Sequence, residues 1–138
     1  ATPPTRRATP AYLNPRLREV CAEARAAGRQ DHVLVVVALD LTRTSGWSRV
    51  VAMTLLADAL KEVFDAGETV ASVGTSVACV LLRRDRHLTR AVANLRVLTA
   101  DRLAVDPHVA PTGPVRVWLE ELPPTCEEAL ALVAGFGR

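Results

Sequence analysis

Near the start of the chain, apolar residues recur on one side only: Leu13, Leu17, Val20, Ala24 and Ala27, with Gly28 directly after them. Their spacing is that of a helix stripe, and glycine is the residue that most readily closes a helix. From His32 to Asp40 the pattern becomes a nearly continuous β-branched run, HVLVVVALD. Such a run predicts a strand buried on both faces in the middle of a sheet. After the turn LTRTSG, the stretch from Trp47 to Phe64 predicts a helix, with Met53, Leu56, Leu60 and Val63 on its apolar face and a stop near Gly67. Residues 69 to 73 and 77 to 83 predict two short strands joined as a hairpin around Gly74, the residue that adopts positive φ without penalty. Leu88, Val92, Leu95 and Leu98 mark a further helix, DPHVAPTGP a loop, and Val115 to Glu120 a strand. The segment TCEEALALV closes the pattern as a helix in which Thr125 and Glu128 have the spacing of a capping box.

The expected order is helix, strand, helix, strand, strand, helix, strand, helix. Its middle is the β-α-β-β-α-β plan of ferredoxin-like folds, giving an α+β domain with one extra helix at each end. That plan hosts many functions and names none of them. The first helix has two uses open to it. Its stripe, with Leu13, Leu17 and Val20 at the centre, packs on its own domain or serves as an interaction helix for a partner; two heptads are too few for a coiled coil. Residues 1–10, ATPPTRRATP, are expected to be a Pro-rich linker or tail, and residues 11–138 the domain. The chain starts at Ala1 rather than Met, which suggests a domain cut from a longer protein.

Composition narrows the chemistry. The chain has 138 residues, suited to one core, and its aromatic content of 4% leaves that core to Val, Leu and Ala. Net charge is +2, and the one dense basic patch, RRDRHLTR at 83–90, includes an Asp and no aromatics. A solvated helix start is expected there rather than a nucleic-acid surface. Cys21, Cys79 and Cys126 stand far apart, outside any CxxC or Cys/His spacing, so reduced thiols are expected rather than a disulfide framework or a zinc site. VLVVVAL is too short to cross a bilayer and no signal segment opens the chain, so a cytoplasmic protein with no membrane partner is expected. His32, His87 and His108 lie on three separate segments, and no Ser or Cys stands in a nucleophile motif, which argues against a hydrolytic triad.

The hairpin ASVGTSVACVLL resembles the signature hairpin of GGDEF-domain diguanylate cyclases, which commonly reads Ala-Arg-Leu, Gly-Gly-Asp-Glu-Phe, a small residue and Val-Leu-Leu. Ala71, Val73, Gly74, Val80, Leu81 and Leu82 fit it. Three other stretches agree in order: YLNPRL with the family's Leu-x-Asn-Arg entry motif, VVVALDL with a first strand ending in a metal-binding Asp, and VRVWLEELPPTCEEALALV with the last strand and terminal helix. The resemblance covers roughly residues 11 to 135 and implies a nucleotidyl cyclase-like core in bacterial signalling.

The departures point to lost chemistry. Where the resemblance implies a second glycine and two acidic residues, this chain has Thr75, Ser76 and Val77. A hydroxyl and an alkyl group do not hold two divalent cations over a triphosphate, because hard cations need charged oxygen ligands. The family's Phe-Lys-x-x-Asn-Asp and Gly-His segments are replaced by the shorter LTRTSGWS, and its Arg-x-x-Asp inhibition site falls on DAGE at 65–68, which has no arginine. Asp40 alone remains as a candidate metal ligand at the end of the first strand, and a strand-end Asp starting a turn is the simpler reading. Thr44, Ser45 and Gly46 would complete a vestigial metal or nucleotide site with it, since the following helix start could meet a phosphate; a hydroxyl helix cap is the plainer role. Trp47 and Trp118 are expected in the core.

The resulting expectation is a catalytically inactive GGDEF-like domain, with no catalytic residues, cofactor or metal. It would act as a regulatory or protein-interaction module, through a protein partner or as a homodimer, without nucleic acid and without binding of GTP or cyclic di-GMP. The alternative is a nucleotide-binding sensor or residual nucleotidyl cyclase using Asp40 and the Thr42–Gly46 turn.

Overall fold

The computed structural model describes residues 10–41, 46–64, 69–72, 76–105 and 115–136, with backbone alone described at 10–12 and 69–72. Residues 1–9, 42–45, 65–68, 73–75, 106–114 and 137–138 lie outside the described residues; of the expected linker only Pro10 is described, and it opens the first helix rather than ending a tail. Along the chain run α1 (Pro10–Ala27), β1 (His32–Ala38), α2 (Gly46–Phe64), β2 (Thr69–Ser72), β3 (Val77–Arg83), α3 (Leu88–Ala104), β4 (Arg116–Glu121) and α4 (Cys126–Phe136). This is an α+β arrangement, in the element order that the apolar pattern predicts.

The strands form one antiparallel sheet in the order β2-β3-β1-β4. β1 pairs with β3 from His32 opposite Arg83 to Ala38 opposite Val77. On its other side β1 pairs with β4, with Val33 opposite Glu121 and Ala38 opposite Arg116. β2 and β3 form the expected hairpin, with Thr69 opposite Leu81 and Ser72 opposite Ala78. The helix between β1 and β2 and the helix between β3 and β4 each cross over one intervening strand. Right-handed crossovers in opposite directions from antiparallel strands bring both helices to one face.

Accordingly, α2 and α3 cover one face of the sheet, leaving the other to α1 and α4. Val33, Val35 and Val37 of β1 pack with Leu56 and Leu60 of α2 and Leu95 and Leu103 of α3. Leu34 and Val36 point the other way, into a second core with Leu13, Leu17 and Val20 of α1 and Ala129 and Val133 of α4. All seven residues of β1 are buried. A strand covered on both faces has no solvent side, which is why its sequence shows no alternation. Leu13, Leu17 and Val20 are buried almost completely, so of the two uses open to that stripe the structure shows packing on the domain itself. Each such side chain contributes about 2 kcal/mol by leaving water.

Two helix ends have local causes. Gly28 takes φ 77°, and the backbone N–H groups of Gly28 and Arg29 both donate to the carbonyl of Ala24, at 2.8 and 3.2 Å. A residue with a Cβ is strained at that φ, so glycine closes α1. At the start of α4 the Glu128 N–H donates to Thr125 Oγ1 at 3.2 Å, and the same hydroxyl donates to Glu128 Oε1 at 3.1 Å. The two residues are therefore reciprocally bonded, although the carboxylate meets the hydroxyl rather than the backbone N–H of a full capping box.

Other expectations shift. The face of α2 that meets the core is centred on Ala52, Leu56, Ala59, Leu60 and Phe64, with Met53 and Val63 only half-buried beside it. In α3, Leu88 and Leu95 are buried as expected, but Thr99 and Leu103 complete the face while Val92 and Leu98 stand at its margin. Trp47 is 78% exposed, contrary to a core role. It sits in the first turn of α2, before the helix reaches the sheet-facing positions.

Candidate functional site

The candidate site lies where β1 ends and β3 begins. Ala38 is the register partner of Val77, and one residue on, the Leu39 N–H donates to the Ser76 carbonyl at 2.9 Å. The antiparallel ladder is thus prolonged just past the strand, which brings Asp40 to the same end of the sheet as Ser76 and Val77. Asp40, Ser76 and Val77 are all half-buried. Val77 packs against the second core, so its alkyl side chain fits the apolar layer formed with α1 and α4.

The start of α2 is tied to this end of the sheet. Arg49 donates through Nη2 to the Leu41 carbonyl at 3.1 Å, holding the start of α2 to the end of β1 across the turn. Gly46 opens α2 with φ 56°; its conformation, rather than lack of room, requires glycine there, since a Cβ would meet nothing within 4 Å. Gly74 and Thr75 of the hairpin tip and Thr44 and Ser45 of the turn lie outside the described residues.

Among the described residues, this end of the sheet offers the Asp40 carboxylate, the Ser76 hydroxyl and backbone carbonyls. A pair of divalent cations needs several anionic oxygens at once, and Ser76 and Val77 supply none. Among the described residues no three His, Cys, Asp or Glu side chains come together as a metal site. No helix among them is long and apolar enough to cross a membrane.

At the opposite end of the sheet, His32 is buried, and burial pushes its imidazole below the usual range, with the charges of Arg16 and Arg83 adding to the shift. The Gln30 side-chain oxygen accepts from the His32 backbone N–H at 3.0 Å. Arg84 clasps both carboxylate oxygens of Glu121, at 2.7 and 2.5 Å, closing the ends of β3 and β4 on either side of β1. Residues 83–87 are exposed ahead of α3, where the Asp85 carboxylate accepts from the His87 N–H. The basic patch is thus a solvent-facing helix start with its own acid.

Two groupings have no local signature in the sequence. Trp118 stacks edge-on against Phe136, with ring centroids 6.4 Å apart and planes at 81°. It also lies beneath the Arg116 guanidinium at 5.9 Å and donates from Nε1 to Glu120 Oε1 at 3.0 Å. The second grouping joins Cys21 to Cys126 on the same side of the sheet. Alternation along β4 could have placed Trp118 on that side, but only the layer assignment brings α1 and α4 together.

Comparison with known proteins adds no relative: no family model matches the chain, and no curated protein or solved structure matches it.

Proposed function

We propose that this chain is a GGDEF-like domain without cyclase chemistry, serving as a regulatory or protein-interaction module. The sheet order β2-β3-β1-β4 with two crossover helices on one face supports a ferredoxin-like core of the kind that the resemblance implies. The hairpin of β2 and β3 occupies the position in the chain order that the signature hairpin has in such domains. The observation that carries the reading is the bond from the Leu39 N–H to the Ser76 carbonyl. It brings Ser76 and Val77 to the strand end that carries Asp40, where on the resemblance the cyclase reaction would need acidic metal ligands.

The interaction half of the reading is supported by the exposed Trp47, with Val50, 39% exposed, one turn further along α2. Tryptophan offers a large rigid surface and is over-represented among residues that dominate protein interfaces. A protein partner or a second copy meeting this end of α2 is the corresponding proposal. The stripe Leu13, Leu17 and Val20 is spent inside the domain, so α1 would meet a partner only through its outer side.

The reading is tested by incubating the purified chain with GTP and either magnesium or manganese and assaying for cyclic dinucleotide. No product above a blank is expected. Turnover that survives repurification and disappears in Asp40→Ala would establish the alternative, a residual cyclase built on Asp40 and the Thr42–Gly46 turn.

A further inference from the structure

We propose that Cys21 and Cys126 form a reversible disulfide, a redox modification site that staples α1 to α4. Both thiols are free in this structure. Cys21 follows Val20 on the buried side of α1, Cys126 is the first residue of α4, and both belong to the core on that side of the sheet. The first and last helices pack on each other, and Cys126 is near enough to Cys21 to act on its thiol. Burial raises Cys21 above the usual thiol range, the neighbouring Cys126 adds to this, and the Arg25 charge opposes it.

Their exposures assign distinct parts to them. Cys126 is half-exposed and open to an oxidant in solution, whereas Cys21 is buried behind it. With a small disulfide such as oxidised glutathione, the Cys126 thiolate attacks one sulfur and expels the other as a thiolate, which takes up the proton that Cys126 gave. Cys21 then gives up its proton and attacks Cys126 Sγ, expelling the second small thiol. The two protein thiols are oxidised and the small disulfide is reduced to two thiols. Cys79 is buried in β3, with burial pushing its thiol up to about 12, so it stays out of the exchange. The new bond would join the first helix to the last and enclose nearly the whole domain, the loop size for which cross-linking constrains the unfolded chain most.

The test uses the full chain treated with oxidised glutathione, after which free thiols are blocked and tryptic peptides are mapped without reduction. Cys21, Cys79 and Cys126 fall in different tryptic peptides. The expected product is a monomer in which the Cys21 and Cys126 peptides are linked, Cys79 is blocked as a free thiol, and dithiothreitol reverses the link. Its Tm should rise by roughly 10 °C on oxidation, since the enclosed loop is long, and Cys126→Ser should lose both the link and the rise. A glutathione adduct that persists on Cys126, a link between two chains, or thiols that all remain free would overturn the proposal.

Discussion

Val36→Asp is expected to leave the protein without a cooperative thermal transition in circular dichroism. Val36 is fully buried, lies opposite Cys79 of β3 and Trp118 of β4, and points into the core under α1 and α4. A carboxylate there has no solvent, and an unpaired buried charge costs several kcal/mol even after relaxation. A domain of this kind has about 5–15 kcal/mol of stability in total, so that charge together with lost packing removes most of it. Val97→Asp, at a position 61% exposed on α3, should melt like the parent. A sharp transition in Val36→Asp within a few degrees of the parent would mean that this face of β1 is not covered.

Leu17→Ala is expected to lower the unfolding free energy by about 3 kcal/mol, the usual loss when a buried leucine is cut back and its cavity does not collapse. Leu17 is fully buried in the core that α1 shares with α4. Urea titration gives the stability and light scattering the mass, which should stay that of the parent. A changed mass with unchanged stability would instead assign the stripe to a contact between copies.

What could be read from the sequence follows from how much of each signal is local. β1 was legible because both faces are covered, so HVLVVVA leaves no polar position to confuse strand with surface. Gly28 and Thr125 were legible because each cap is settled by a residue and its near neighbours. On the sheet-facing side of α2, Leu56 and Leu60 were legible, whereas Ala52, Ala59 and Phe64 are buried where Met53 and Val63 were expected. Ala52 and Ala59 are fully buried in that core, and small residues carry little weight in a periodicity judged from large aliphatics. Trp47 was misread because apolar size was taken for burial, whereas a first-turn position can project past the layer it belongs to.

The candidate site divides in the same manner. Asp40, Ser76 and Val77 were named from their places in two short motifs, and the register of β1 with β3 accounts for their coming to one end of the sheet. Gly74, Thr75, Thr44 and Ser45 lie outside the described residues. The Cys21 and Cys126 thiols were beyond any reading of spacing. Nothing near either residue encodes the other, and they share one core because both crossover helices occupy the opposite face of the sheet.

The proposal that the hairpin persists without its nucleotide chemistry is tested most directly by calorimetric titration of the chain with GTP and magnesium, and separately with cyclic di-GMP. Ser76 and Val77 offer no charged oxygen to a metal-bound triphosphate, and DAGE, on which the proposed resemblance puts the inhibition site, has no arginine. The predicted result is no saturable heat with either ligand, for the parent chain and for Asp40→Ala alike. Saturable binding with a micromolar constant for the parent chain that is lost in Asp40→Ala would contradict it.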